Sequence, residues 1–285
     1  MEFIMPGTEL LFILLALSSA FSWGAGDFSG GLASKRTSAY TVVGLSQFIS
    51  LLILVAGVIL VAPEPFSTHA ALWGSLAGFC GATGLVALYS GLARGPMGVV
   101  ASLTAVIAAI VPVVYTTFQS GLPAISDLTG ILVALGAVWL ISSGDHLGKM
   151  NLKDLGLPLI AGLGFGVFFI LIALASEQST IWPLVFARSS SVIFILLVGL
   201  LLRKIEIPLR GQIPIIALAG IFDTGGNILY VLATRFGRLD IAAVLSSLYP
   251  AATVFLAWIL LKERLTRRQW TGVALVIVAV ILIAI

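Results

Sequence analysis

The chain has 285 residues, of which 60% are hydrophobic and 9% are charged, and its formal net charge is +3. Soluble domains carry about 25% charged residues, so this composition excludes a water-soluble enzyme or binding domain and predicts a protein embedded in a lipid bilayer. The single cysteine, Cys80, excludes a disulfide within the chain and a metal cluster built on thiolates. We expect neither a metal nor a cofactor.

Charged residues, prolines and glycines divide the chain into ten apolar stretches. A helix needs roughly 20 apolar residues to cross a ~30 Å hydrocarbon core. The stretches cover residues 9–33, 38–62, 70–92, 97–119, 125–143, 155–176, 180–202, 212–234, 239–261 and 268–285. We therefore predict an all-α integral membrane protein with ten transmembrane helices, numbered here as spans 1 to 10. Span 1 lacks a basic leader and is too long for a signal peptide, so we interpret it as a true span.

The first five spans and the last five resemble each other in sequence. At an offset of 142, residues 95–141 recur loosely as residues 237–283, and Thr129-Gly130 recurs as Thr271-Gly272. Because five is odd, the second group must begin on the opposite face of the membrane, which makes the two repeats inverted about an axis in the membrane plane. The predicted repeats are residues 1–147 and 148–285, joined near Asp145–Asp154.

The repeat extends to polar positions. At the same offset, Ser46-Gln47 in span 2 corresponds to Arg188-Ser189 in span 7, and at an offset of 141 Tyr89 corresponds to Tyr230. The polar groups thus occupy equivalent places in both halves, whereas the charges of spans 7 and 8 occur in one half only. We therefore expect two structurally similar halves around a site in which the charges of spans 7 and 8 have no counterpart in the first half.

Three ionisable residues lie well inside spans: Asp27 in span 1, Arg188 in span 7 and Asp223 in span 8. Such residues usually face the bundle interior or a water-filled cavity. Spans 7 and 8 are consecutive and antiparallel, and Arg188 and Asp223 lie at similar depth, so we predict that they form an ion pair. Two interpretations stay open. The pair is purely structural, or Arg188 binds an anionic group of a substrate while Asp223 modulates it.

In the predicted spans, no basic residue lies at the same membrane depth as Asp27 without a carboxylate partner. A charged carboxylate is costly there, so we hypothesise that Asp27 binds and releases a proton during transport. The alternatives are hydration at a cavity mouth and a local role in the glycine-rich segment Gly26–Gly31.

Further residues complete the predicted site. The substrate-binding candidates are Gln47, Arg188, Asp223, Asn227, Tyr230 and Tyr249. Pro112 and Pro250 lie within spans 4 and 9 and each removes a backbone hydrogen bond, so they are candidate helix breaks with a role in gating. The 30 glycines cluster inside spans, where small residues let helices approach closely, with or without a role in motion.

No enzyme motif is present. The sequence lacks a Gly-rich phosphate loop ending in Lys-Ser/Thr, a His-Glu-x-x-His pair and a Ser/His/Asp set at one depth. We therefore predict that the protein is not an enzyme and that any pumping is driven by gradients rather than by ATP.

Basic residues set the expected orientation, because Lys and Arg favour cytoplasmic loops. Twelve lie in the odd-numbered loops, and only Arg235 and Arg238 lie in the even-numbered ones. This bias places the odd loops in the cytoplasm and both termini outside. It also explains the net charge without a nucleic-acid partner.

The end of the second repeat resembles the EamA-type transporters of the drug/metabolite transporter superfamily. The similarity is carried by Leu248-Tyr249-Pro250, by residues 256–266 with Glu263-Arg264-Leu265, and by Gln269 and Gly272. The first repeat has Gly121-Leu122-Pro123 where the family has its Glu-Arg-Leu motif. The resemblance implies ten spans in two repeats, with spans 1–4 and 6–9 around a central cavity and spans 5 and 10 peripheral. It also usually implies cytoplasmic termini, against the charge bias.

We expect a secondary transporter of small polar or amphipathic metabolites that works by alternating access, with export of amino-acid-like compounds favoured by the resemblance. The expected location is the cytoplasmic membrane of a bacterium or archaeon. The alternatives are a sugar or metabolite importer of the same superfamily and a non-transporting membrane scaffold. The expected partners are the lipid bilayer, a small-molecule substrate and protons as the coupling ion. Fusion of both repeats in one chain removes the need for a dimer without forbidding one.

Overall fold

The structure, a computed structural model, describes residues 6–60, 67–94, 97–142, 155–260 and 266–283. These residues form helices joined by short connections. The helices are α1 (Pro6–Ser34), α2 (Ala39–Leu60), α3 (Thr68–Arg94), α4 (Met97–Ser120), α5 (Ile125–Ser142), α6 (Gly156–Ala175), α7 (Ile181–Leu201), α8 (Ile213–Ala233), α9 (Leu239–Ser246), α10 (Tyr249–Leu260) and α11 (Arg267–Ile283). The prediction of an all-α, multi-pass membrane protein is confirmed.

Eight helical segments in the described ranges are long and apolar enough to cross a membrane. They are α1 to α4, α6, α7, α8 and the segment formed by α9 with α10. The remaining two predicted spans, 5 and 10, correspond to α5 and α11. The apolar part of α5, Ile125–Ile141, and α11 have 17 residues each. At 1.5 Å per residue, 17 residues extend about 25 Å, which is short of a ~30 Å hydrocarbon core.

Predicted span 9 is broken into two helices. α9 ends at Ser246, and α10 begins at Tyr249, with Pro250 in its first turn. Proline is well tolerated in the first turn of a helix because the N–H that it lacks would have no intrahelical acceptor there. Pro112, in contrast, lies inside the continuous helix α4.

The distribution of side chains is that of a protein in lipid. Large apolar side chains such as Leu52, Leu72 and Leu197 are exposed on the outer faces of their helices. Polar side chains such as Gln47 and Asn227 are buried between helices. Lipid solvates the apolar exterior, so the polar groups must find their partners inside the bundle.

Contacts between helices occur in related pairs. α1 packs most extensively on α8, and α3 on α6. Exchanging each of the first five spans with the span five positions later turns α1 into α6 and α8 into α3. This exchange therefore converts the α1–α8 contact into the α3–α6 contact. The contacts α2–α7 and α5–α11 are each converted into themselves by this exchange.

Two glycines allow equivalent close approaches in the two halves. A Cβ added at Gly78 of α3 would collide with the backbone oxygen of Ala187 in α7. A Cβ at Gly220 of α8 would collide with the backbone oxygen of Ser46 in α2. Gly78 and Gly220 are 142 residues apart, the offset of the sequence repeat. These approaches bring α3 close to α7 and α8 close to α2, and α2, α7 and α8 carry the polar residues Gln47, Arg188 and Asp223 of the predicted site.

Candidate functional site

A small cavity lies between the two halves of the chain. Its walls come from α1, α3, α6, α7 and α8, and include Trp23, Asp27, Phe168, Arg188, Asp223 and Asn227. The cavity measures about 40 Å³. Since one water needs at least ~10–15 Å³ on this measure, it has room for about three water molecules. The cavity is therefore small, and its walls include the charged residues of the predicted site.

The ion pair predicted between Arg188 and Asp223 is present. Nη2 of Arg188 lies 2.8 Å from Oδ2 of Asp223, and the two side chains are only 3% and 12% exposed. A buried pair of this kind compensates two desolvation costs, each of several kcal/mol, only when further hydrogen bonds satisfy both groups.

Two residues of α2 provide those hydrogen bonds. Gln47 Nε2 donates to Oδ2 of Asp223 at 2.9 Å, while Gln47 Oε1 accepts from Nη1 of Arg188 at 2.6 Å. Arg188 Nε donates to Ser50 Oγ at 2.9 Å. Thr224 of α8 also contacts this hydroxyl, at 2.6 Å. Gln47 therefore bonds both members of the ion pair, and it is not one of the residues that line the cavity.

Ser50 was not among the sequence-predicted site residues. It lies three residues after Gln47 in α2, so both side chains are on the same helix face. This spacing was the available signal. Gln47 and Arg188 are 141 residues apart, close to the repeat offset, so nearly equivalent positions of the two halves contact each other.

Two polar atoms of the network lack hydrogen-bond partners in the described part of the chain. The side-chain nitrogen of Asn227 donates to Oδ1 of Asp223 at 3.0 Å, but its Oδ1 accepts no hydrogen bond. Arg188 Nη2 is close to Asp223, yet its hydrogens do not align with any acceptor. Arg188 and Asn227 both line the cavity. The cavity is thus bordered by an ion-paired guanidinium and by an amide oxygen without a hydrogen-bond partner.

Asp27 lines the same cavity from α1. Its side chain is buried, and it has no hydrogen-bond or ion-pair partner among the described residues. The Arg188 charge is already matched by Asp223, so Asp27 remains a carboxyl group without a dedicated cation.

Aromatic residues form the apolar wall. The rings of Trp23 and Phe169 stack with centroids 5.3 Å apart, and Tyr230 packs against both, with its ring 5.6 Å from Trp23 and 4.9 Å from Phe169. The Tyr230 hydroxyl donates to the backbone oxygen of Phe169 at 3.2 Å. Tyr230 therefore supports the wall from outside the cavity. Tyr89, at the equivalent position in the first half, similarly reaches the backbone oxygen of Gly26 in α1 at 3.5 Å.

Tyr249, Pro250 and Pro112 lie away from the cavity walls. Tyr249 reaches the backbone oxygen of Ala101 in α4 at 3.5 Å, and so joins α10 to α4. Its own backbone oxygen packs against Gly24 of α1. None of these three residues lines the cavity, and their predicted role in gating stays a prediction.

The two ends of the bundle differ in charge. Lys35, Arg36, Arg94, Arg203 and Lys204 follow or precede helices at one end, and none has an ion pair with a described residue. At the opposite end both basic residues are engaged. Arg235 Nη2 donates to the backbone oxygen of Ser176 at 3.1 Å, and Arg238 pairs with the fully buried Asp240 at 2.9 Å. The hydrogen bond with Asp240 raises the pKa of the Arg238 guanidinium.

Several predictions concern residues outside the described ranges. These include the Glu263-Arg264-Leu265 motif, the junction at Asp145–Asp154 and the basic residues Lys149, Lys153 and Lys262. Within the described ranges, no group of three or more His, Cys, Asp or Glu residues could hold a metal ion.

Comparisons with known proteins identify the chain's relatives. Residues 154–285 match the model of the EamA-like transporter family. A protein of Methanocaldococcus jannaschii, itself uncharacterised, is 30% identical over 131 residues, which are 46% of this chain and 94% of that protein. A crystal structure of another protein matches the fold with a TM-score of 0.75 and 15% identity, over 95% of each chain. The chain is a multi-pass membrane transporter and belongs to the EamA-like transporter family.

Proposed function

We propose that this transporter carries a small zwitterionic, amino-acid-like metabolite through the cavity between its two halves, by alternating access and without ATP. The observation that carries the proposal is the presence of a cation and of acceptor groups on the walls of one cavity. Arg188, which is ion-paired with Asp223 in the described conformation, offers a charged donor, while Asp27 and Oδ1 of Asn227 offer acceptors.

The chemistry of these groups favours a zwitterion. A substrate carboxylate is recognised by Arg188, because charge-assisted hydrogen bonds to a guanidinium are among the strongest in proteins. The ammonium group of the same molecule is recognised by Asp27 and Asn227. Trp23 and Phe168 provide an apolar surface for its side chain. A neutral sugar could form hydrogen bonds with Arg188 and with Oδ1 of Asn227, but it would leave the Asp27 carboxylate without a cation.

Binding requires a change of shape. The cavity of about 40 Å³ has room for water but is too small for an amino acid. The break between α9 and α10 and the tight glycine contacts at Gly78 and Gly220 are features that let helices bend and slide. Opening toward either face in turn would load and release the substrate.

The proposed architecture is ten spans in two inverted repeats, residues 1–147 and 148–285, with α5 and α11 as the short fifth and tenth spans. Support comes from the exchange-related helix contacts and the equivalent glycine approaches. The relative from Methanocaldococcus jannaschii is about half as long as this chain, which is the length of one repeat. α5 and α11 pack on each other, consistent with a place outside the central helices.

Asn227→Leu is expected to weaken substrate binding about 10- to 100-fold, because losing a hydrogen bond to a charged group costs ~1.5–3 kcal/mol. The measurement is uptake and efflux of radiolabelled amino acids and sugars by proteoliposomes. Gln119→Leu is the matched control, since Gln119 is an exposed amide that bonds Tyr115 away from the cavity. If the wild-type protein moves no member of the panel with or without a pH gradient, the scaffold interpretation replaces transport. Sugar transport without amino-acid transport would favour the importer.

We also propose that the basic end faces the cytoplasm, that both termini are outside, and that the protein exports its substrate across the cytoplasmic membrane of a bacterium or archaeon. The support is the uncompensated charge of Lys35, Arg36, Arg94, Arg203 and Lys204 at one end. A reporter active only outside the cytoplasm, fused to the C-terminus, is expected to be active. A silent outside reporter with an active cytoplasmic one would reverse the orientation.

A further inference from the structure

A second, larger pocket lies at the basic end of the bundle, apart from the central cavity. It measures about 350 Å³ and is formed where α1 and α3 end, where α2 begins, and by the segment that follows α7. Its walls include Ser34, Tyr40, Arg94, Arg203, Lys204 and Glu206. It shares no lining residue with the central cavity.

The pocket has an excess of positive charge. Its one acidic residue, Glu206, is already engaged, because its carboxylate accepts a hydrogen bond from the backbone N–H of Ser38 at 3.1 Å. Thr41 holds the backbone of Glu206 in place with bonds of 2.8 and 3.2 Å. Arg94, Arg203 and Lys204 therefore have no carboxylate partner among the described residues.

Three basic side chains thus line one pocket: Arg94, Arg203 and Lys204. Such a set suits an anion with several oxygens, because guanidinium and ammonium groups form charge-assisted hydrogen bonds with them.

Arg203 occupies a position where glycine would fit better. It follows the C-cap of α7 with φ of +52°, and the backbone bonds Arg203 N–H to Leu200 O and Lys204 N–H to Gly199 O form the turn that usually has glycine there. The same chain does use glycine, Gly121 with φ of +80°, after α4. An arginine kept in a left-handed conformation is a local strain of the kind found at ligand sites.

We propose that this pocket binds a phosphate group, carried by the headgroup of an anionic phospholipid in the surrounding leaflet. A guanidinium matches phosphate oxygens in a bidentate geometry, and basic pockets at helix ends are typical headgroup sites. The neighbouring side chains of Leu201 and Ile207 are highly exposed and apolar, which places acyl chains beside the pocket. The site is independent of the transport function proposed above.

The test is native mass spectrometry of the full-length protein in detergent, titrated with phosphatidylglycerol or phosphatidylcholine. The wild-type protein is expected to retain phosphatidylglycerol selectively. The double variant Arg203→Gln/Lys204→Gln should bind it roughly 25-fold more weakly, about fivefold for each cation removed. Lys35→Gln/Arg36→Gln is the matched control, because it removes the same charge at the same end from residues outside the pocket wall. Equal losses in both variants, or no loss in either, would overturn the site.

Two further arms separate the remaining explanations. Arg203→Gly should raise the melting temperature in lipid-free detergent and lose the stabilisation by phosphatidylglycerol, whereas a residue that only terminates α7 would leave the lipid effect unchanged. Inorganic phosphate and glycerol 3-phosphate are tested by thermal shift. Protection by these soluble compounds without an effect of phosphatidylglycerol would keep the phosphate site and overturn the lipid as its source.

Discussion

Arg188→Leu is expected to abolish transport and to destabilise the protein by about 3–5 kcal/mol, because it leaves the buried Asp223 carboxylate without its cation. Asp223 would keep its bonds from Gln47 and Asn227, so part of the carboxylate charge stays compensated. The loss is measured as a lower melting temperature in detergent and as absent uptake in proteoliposomes. Arg235→Met is the control, since Arg235 bonds only a backbone oxygen at the far end of the bundle.

The double variant Arg188→Met/Asp223→Leu separates structure from function. Replacing a buried ion pair by apolar side chains of similar size is often neutral for stability. We therefore expect the melting temperature to recover part of the loss, because the buried Gln47 amide loses both of its partners. Transport should stay absent because the cavity no longer has a cation for the substrate carboxylate. Recovery of transport together with stability would show that the pair is structural only, which is the other interpretation of the same geometry.

The ion pair could be predicted from the sequence because a charge at membrane depth is rare and needs a compensating partner. Arg188 and Asp223 lie on consecutive antiparallel spans, so their depths could be compared directly. The repeat offset also indicated Gln47, since it relates this residue to the region of Arg188. In a membrane protein the few polar residues are thus the most informative part of the sequence.

The phenylalanine side of the cavity wall could not be predicted in the same way. Phe165, Phe168 and Phe169 lie in a helix that is apolar on all sides, so hydrophobic periodicity does not distinguish the face toward the cavity from the face toward lipid. The prolines posed a related difficulty. Pro250 lies beside the break between α9 and α10, whereas α4 continues through Pro112. Whether a lost backbone hydrogen bond opens a helix depends on the packing around it.

The pocket proposed to bind phosphate also could not be predicted from the sequence. Arg94, Arg203 and Lys204 were interpreted as topology determinants, which explains their location at one end. Their convergence on one pocket depends on the segment after α7 being held against α2 through Glu206 and Thr41. This long-range contact has no pattern in a single sequence. The orientation role and the binding role are compatible, because anionic lipids are enriched at the cytoplasmic surface.

Asp27→Asn is expected to abolish the dependence of transport on a pH gradient, whereas exchange of substrate along its own gradient should persist with a lower affinity for the substrate ammonium. Asparagine keeps the size and hydrogen-bonding capacity of the side chain but cannot bind and release a proton. Wild-type proteoliposomes should accumulate substrate against its gradient when a pH gradient is applied, and a pH-sensitive dye trapped inside should report proton movement that requires substrate. Both signals should be lost in Asp27→Asn, and Asp127→Asn on α5, away from the cavity, should keep them.

The alternative roles of Asp27 give different results. If Asp27 only binds the substrate ammonium, Asp27→Asn should reduce affinity in exchange as much as in gradient-driven uptake. If it only supports the glycine-rich part of α1, the variant should lower the melting temperature with little change in either mode of transport. Full retention of the pH-gradient response in Asp27→Asn would contradict proton coupling at this residue. The carboxyl group of Asp223 has a cation beside it and that of Asp27 has none, and for this reason Asp27 is the residue at which we predict proton coupling.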